Sequence, residues 1–295
     1  MCVNVSDFLK EKEALGCSEA TLIFYRSCLD RFSVFLDLKK CEYIDFNKSL
    51  YIDYVAYLKS CRLSPISIQS YIRGLRCFNS WSISSGAVDS DYNKFCLLPK
   101  APKPLIVPLF DAEIAAIYST FKSDFFGVRN KAIFSLFLGS GIRLQEALAP
   151  FSSLSLDYGF LKVLGKGSKE RFVPLSNTFI RDYSVYRVYD PGSASLFSSC
   201  SGAPLTYDGL KDIFRKIAKE SGVLRLYPHL CRHTFATRFL EEGGDLFVLK
   251  EILGHSSVEI CKRYIHMSSN AVQRNFRSPL DRWCSCADSN RRPFD

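Results

Sequence analysis

Residues 99 to 108 contain Pro99-Lys-Ala-Pro102-Lys-Pro104, with Pro108 close behind. Proline fixes φ, has no amide hydrogen to give a helix, and pushes the preceding residue toward extended backbone. No helix or central strand crosses such a stretch, so the chain must fold as two regular segments joined by an extended one. At 295 residues there is room for two domains, each able to bury its own core. The reading is a first domain over 1–98, a Pro/Lys linker over 99–108, a second domain over 109–268, and a polar tail without clear period over 269–295.

The first domain reads as helices. Ser18 can cap a helix that carries Leu22, Tyr25, Leu29, Phe32 and Leu36 at helical spacing. A shorter helix follows, with Ile52, Val55 and Leu58 as its apolar stripe. Ser64-Pro65 then supplies an N-cap with proline at the first helical position. The buried side of that third helix is Ile68, Ile72, Leu75, Phe78 and Trp81. Arg73 and Arg76 lie off the stripe; they suit a solvated face or contacts with DNA phosphates.

In the second domain Asp111 opens a helix, and 127–138 form another with Ile133, Phe134 and Phe137 inward. Periodicity then switches to alternation, with Phe160, Lys162 and Leu164 on one face and Leu161 and Val163 on the other. A turn over Gly165 to Ser168 and the run Arg171-Phe-Val-Pro-Leu175 complete a β-hairpin with Lys166 in its turn. Helices resume near 177–189, 207–220, 229–242, 245–253 and 257–265. Gly243-Gly244 and Gly254 stand where helix ends favour positive φ. The expected fold is therefore mainly α, with a small β-hairpin or sheet in the second domain.

The formal net charge of +9 favours a polyanionic partner. No apolar run reaches the ~18–20 residues of a membrane helix. Asp7, Glu11 and Glu13 make the start unlike a signal peptide, so the expected location is the cytoplasm, with no membrane partner. Twelve cysteines are present, but the closest pair is Cys284-Ser-Cys286 and no C-x-x-C occurs; reduced thiols are expected, with Cys77, Cys231 and Cys261 in helical sequence. No metal and no cofactor are expected.

All four histidines fall within the last 67 residues. Three motifs hold them: His229-Leu-Cys-Arg232-His233, Leu253-Gly254-His255, and Arg263-Tyr264-Ile265-His266. Upstream lie Gly139-Ser-Gly-Ile-Arg143-Leu-Gln-Glu146 and Gly165-Lys166-Gly-Ser-Lys169-Glu-Arg171. His229 and Arg232, three apart, share a helix face and can address one phosphate. The bend Gly139-Ser-Gly141 can bring backbone close to a ligand, and Glu146 can orient Arg143. Taken singly, each piece is an ordinary structural feature. Together they surround a potential nucleophile with cations, which suits a phosphate diester.

In order and spacing these pieces resemble the tyrosine recombinase family, the phage-type integrases and Xer proteins. The family pattern is an arginine in Gly-x-Arg-x-x-Glu, a hairpin lysine, H-x-x-R, a His or Trp in Leu-Gly-His, and then the tyrosine. Arg143, Lys166, His229, Arg232, His255 and Tyr264 occupy those places, with 26 residues from His229 to His255 and nine more to Tyr264. The resemblance implies a two-domain, C-shaped DNA clamp: a helical, SAM-like core-binding domain and a tyrosine recombinase catalytic domain. It implies that Tyr264 attacks a phosphodiester to form a 3′-phosphotyrosyl link and that His229 handles the phenolic proton. By the same resemblance Arg143, Arg232 and His255 stabilise the phosphoryl oxygens and Lys166 protonates the leaving 5′-oxygen. Lys169, three residues past Lys166, is read as a DNA contact along with Arg73, Arg76 and Arg171, and His233 as structural.

The implied partner is double-stranded DNA with specific core sites, bound by a homotetramer across two sites and by a monomer or dimer off DNA. The implied activity is site-specific integration or excision of a mobile element or viral genome, independent of metal and ATP. The alternatives are an Xer-type dimer resolvase, a type IB topoisomerase-like activity, and a noncatalytic DNA-binding protein. Asp288-Ser-Asn-Arg291 can be encoded by GAC-TCG-AAC-CGN, which resembles the reverse complement of a tRNA gene's T-arm; an attachment site inside the reading frame is one expectation, and a tail packed on a neighbouring protomer is another.

Overall fold

The computed structural model describes residues 4–102, 105–165, 170–190 and 192–254. The chain divides into two compact units, Met1–Leu105 and Ile106–Asp295, inside the proline-rich stretch.

In the first unit, α1 (Val5–Ala14), α2 (Glu19–Lys39), α3 (Lys48–Ser60) and α4 (Pro65–Ser84) pack around an aromatic core. The Ser18 hydroxyl accepts from the Thr21 amide, and that of Ser64 from the Ser67 amide, with Pro65 at the first helical position. The inner side of α4 is Ile68, Ile72, Leu75, Phe78 and Trp81, as its spacing predicts. α3 departs from expectation. Its buried side is Tyr51, Tyr54 and Leu58, and Ile52 is 58% exposed. The Tyr54 ring packs edge-on against Phe32 at 5.0 Å, and the Tyr51 hydroxyl donates to the Leu97 carbonyl. A tyrosine ring buries more area than an isoleucine side chain, so the aromatic stripe sets the rotation of this helix, although the buried Tyr54 hydroxyl has no hydrogen-bond partner among the described residues. Burial pushes the thiols of Cys28 and Cys96 up to about 12, which leaves them as small apolar core groups.

The second unit begins with α5 (Asp111–Tyr118) and α6 (Phe125–Ser140), then a 3-10 turn at Leu144–Leu148. An antiparallel sheet follows, β1 (Leu154–Ser155), β2 (Phe160–Leu164) and β3 (Glu170–Pro174), in the order β1-β2-β3. Within it Val163 pairs with Arg171 and Leu164 with Glu170. The two-residue β1 is too short to show as alternation. α7 (Asn177–Tyr189), α8 (Tyr207–Ser221), α9 (Pro228–Glu241) and α10 (Leu246–Leu253) complete the described part; the helix expected at 257–265 lies outside it. α6 is buried almost all round, through Ala132, Ile133, Phe134, Leu136 and Phe137, as expected of a central helix. α7 and α9 pack on it.

The stretch entering this unit is strapped to α9. The Leu109 amide donates to the Thr234 hydroxyl (2.9 Å), Arg238 donates to the Leu109 carbonyl (3.0 Å), and His233 Nε2 bonds to the Ile106 carbonyl (2.7 Å). Arg225 donates to the carbonyls of Val107 and Pro108 and forks onto Glu113. His233 thus serves the fold on the strap side of α9.

Candidate active site

The site is built around the C-terminal end of α6. Gly141 caps that helix at φ +62°, and a Cβ there would come within 2.5 Å of the Phe235 ring. Only glycine combines that left-handed backbone with that approach. The close neighbours of the Gly139-Ser-Gly141 bend are protein groups: Phe235 and Leu253 at Gly141, and the Ser176 hydroxyl at Gly139. Helix packing fills the space beside both glycines, so the bend serves the fold there. The sharp exit sets Arg143 at the head of the 3-10 turn, with Glu146 as the reciprocal cap.

Glu146 is buried and holds two arginines. Its carboxylate accepts from the Arg143 amide (2.7 Å) and Nη1 (3.0 Å), and from Arg171 Nη1 and Nη2 (2.7 and 2.8 Å). Burial pushes its pKa up, but the bonds from Arg171 and from the Arg143 amide, the charge of Arg171 and the bond from the Arg143 side chain outweigh it and hold the carboxyl below its ordinary range. Glu146 therefore orients Arg143, as its spacing suggests.

A carboxyl whose pKa is depressed by folding contributes stability above its unfolded pKa of about 4.3 and loses it as pH falls through the lower folded value. Glu146→Gln is thus expected to destabilise the protein by about 3 kcal/mol near neutrality, since Arg171 is left without its buried anion. The gap to wild type should narrow below about pH 4. Denaturant unfolding across a pH series checks this; a gap that stays constant to pH 3 would contradict it.

Arg232, on α9, is 1% exposed. Its Nη1 donates to the Gly141 carbonyl (2.8 Å) and its Nη2 to the Leu253 carbonyl (2.7 Å). The last carbonyls of a helix have no partner within it and carry the negative end of its dipole. At α10 three successive carbonyls each accept from a different arginine: Ile252 from Arg171 Nε (2.9 Å), Leu253 from Arg232, and Gly254 from Arg143 Nη2 (2.9 Å). Arg143 and Arg232, far apart in sequence, thereby meet at adjacent peptide groups immediately before His255.

His229 stands exposed in the first turn of α9, after Pro228 at the first helical position. With Arg143 it lines an open cavity of about 560 Å³, along with Tyr207, Lys211, Arg215 and Tyr227. The Lys211 ammonium lies 4.3 Å from the Tyr207 ring centroid. This wall is cationic and aromatic, and sequence reading missed the part that α8 supplies. Lys166, Lys169, His255 and Tyr264 lie outside the described residues. Arg73 and Arg76 belong to the first unit; Arg73 is exposed and donates to Gln69 (3.0 Å), and Arg76 is half-buried. Arg171, expected at DNA, turns its guanidinium inward to Glu146 and Ile252. Alternation held the signal, for Arg171 shares the inner face of β3 with buried Val173.

Comparison with known proteins decides the family. A profile described as the phage integrase family matches residues 109–271, and one described as the phage integrase SAM-like domain matches residues 3–96. The chain belongs to the phage integrase family. Among its relatives in the tyrosine recombinases is XerC of Staphylococcus carnosus (strain TM300), 32% identical over 272 residues, covering 87% of this chain and 90% of that one. The fold is also that of solved recombinases. A Tn1549 transposon integrase, solved in complex with circular intermediate DNA, aligns with TM-score 0.73 at 19% identity, over 92% of this chain and 99% of the other. The XerH site-specific recombinase bound to palindromic difH substrate, a post-cleavage complex, gives 0.71 at 21% identity, over 92% and 83%. The mainly helical, two-unit reading stands, and the small β element of the second unit is a three-stranded sheet. No described helix is long and apolar enough to cross a membrane.

Proposed function

We propose that this site-specific recombinase cuts and rejoins double-stranded DNA at defined core sites through a 3′-phosphotyrosyl intermediate on Tyr264. The observation that carries the proposal is the meeting of Arg143 and Arg232 on adjacent carbonyls at the end of α10, with His229 lining the same cavity as Arg143. Two guanidinium groups so placed suit the nonbridging oxygens of one phosphoryl group.

The Tyr264 oxygen attacks phosphorus, and the bond from phosphorus to the 5′-oxygen breaks. A phenol with a pKa of about 10 must lose its proton during attack; His229 takes it, and Lys166 gives one to the departing 5′-oxygen. Arg143, Arg232 and His255 stabilise the charge that develops on the nonbridging phosphoryl oxygens, as preorganised donors do. Attack of a 5′-hydroxyl on the phosphotyrosine reverses the steps. The covalent link conserves the bond energy, so no nucleotide triphosphate is required.

The proposed domains are 1–98 for core-site binding, 99–108 as linker and 109–268 for catalysis, with 269–295 as tail. The proposed assembly is a homotetramer on two sites, active in the cytoplasm. The two solved recombinases described above were captured on DNA, which supports a DNA partner here. A nicked suicide duplex carrying the candidate T-arm sequence tests the chemistry, since loss of the short 5′-hydroxyl strand traps the adduct. An SDS-resistant, protease-sensitive protein–DNA adduct is expected; no adduct on any candidate duplex would leave only the fold. Dimer resolution is the second reading, favoured by the XerC and XerD relatives.

Arg73 and Arg76 are proposed phosphate contacts, and Lys169 a third. Each released contact should lower the slope of log affinity against log salt by about 1, with little change in sequence preference. Arg73→Ala is the cleanest case because Arg73 is exposed. Binding titrations at several salt concentrations check it; an unchanged slope would remove Arg73 from the interface.

A further inference from the structure

We propose that Arg171 is a positioning residue of the cleavage reaction: one guanidinium that locks together the three segments adjoining Arg143, Lys166 and His255. The inference rests on the recombinase reading above and adds a residue to it. Arg171 stands on β3, two residues past Lys169, so it fixes the strand that follows the lysine-bearing segment. Two of its bonds go to Glu146, which holds Arg143 by the amide and by Nη1. Its Nε bonds to the Ile252 carbonyl, three residues before His255. Gly254, at φ +60°, lies flat against it, for a Cβ there would stand 3.0 Å from Arg171 Nε and Nη1. The Arg171 side chain is 13% exposed.

Those bonds point to Glu146 and Ile252, so Arg171 acts through other groups. Its planar fork is what allows one residue to serve all three segments; a lysine keeps the charge and loses the fork. The charged neighbours of Glu146 are Arg143 on its own turn and Arg171 from β3. α8, packed on the same turn, brings Lys211 and Arg215 to the cavity beside Arg143, and α10 offers carbonyl groups. Without Arg171 the buried carboxyl retains only Arg143, takes up a proton at higher pH, and then releases its grip on Arg143.

The test is single-turnover cleavage of the nicked duplex, at saturating DNA and across pH, by the full chain as wild type, Arg171→Ala and Arg171→Lys. The expected result is a cleavage rate lower by about 10²-fold in the alanine variant, the scale of a ~1 Å misplacement of catalytic groups. DNA affinity should stay within about threefold of wild type (under ~0.7 kcal/mol), and the acid limb of the rate profile should move to higher pH. The lysine variant should recover only part of the rate, and it is read alone if the alanine variant does not fold. A loss of affinity with unchanged rate at saturation would make Arg171 a DNA contact and overturn the proposal. So would a rate loss with the acid limb unmoved, or full rescue by lysine. Absence of adduct from the wild type would instead count against the recombinase reading itself.

Discussion

Tyr264→Phe is expected to abolish covalent capture of DNA and to leave DNA binding intact. The substitution deletes one oxygen, changes no charge and keeps the aromatic ring, so affinity should stay within about threefold of wild type, under ~0.7 kcal/mol. The proposed attacking atom, however, is gone. Removing the nucleophile of a covalent enzyme costs on the order of 10⁶ in rate, by analogy with a protease, which places the variant below detection. Gel-shift titration beside an SDS gel of the nicked-duplex reaction measures both quantities on one sample. A noncatalytic DNA-binding protein would show no difference between variant and wild type. A type IB topoisomerase-like enzyme would also lose its adduct, but its wild type would relax supercoiled DNA of any sequence as a monomer, without a second site.

The second large effect is expected at Arg232. Arg232→Lys keeps the positive charge and removes the fork that spans the Gly141 and Leu253 carbonyls. A fixed donor aimed at developing charge is worth about 10²–10³ in rate, and a lysine ammonium cannot reproduce the guanidinium geometry. Single-turnover cleavage should therefore fall by about 10²-fold or more. Arg232 is 1% exposed and closes both α6 and α10, so the thermal midpoint should fall as well; leaving buried carbonyls unsatisfied costs ~1–3 kcal/mol each. A cleavage rate within threefold of wild type would show that Arg232 serves the fold alone.

Much of the fold was legible because local signals and packing agree. The Ser18 and Ser64 caps, the Ile68-to-Trp81 stripe and the β2–β3 alternation are each set by neighbours in sequence. At α3 the aliphatic spacing points to Ile52, while the rings of Tyr51 and Tyr54 fill the core. β1 was missed because two residues pair with β2 only through tertiary context. At the site, motif order points to Arg143, Glu146, His229 and Arg232, and the structure brings the two arginines to the end of α10 and sets His229 on the cavity that Arg143 lines. Motif order could not show that the end of α10 gathers Arg143, Arg171 and Arg232, because carbonyl groups carry no signature in a sequence. Arg171 illustrates the difference: as a cation beside a lysine-bearing turn it suggests DNA, yet its inward place on β3 gives it to Glu146.

The central claim is that a phenolic oxygen at position 264 becomes bonded to DNA phosphorus. Mass spectrometry of protease-digested adduct from the nicked duplex tests it most directly. The predicted product is the peptide spanning Tyr264 with a nucleotide 3′-phosphate on the tyrosine; an adduct on any other residue, or none from a duplex the protein demonstrably binds, would contradict it.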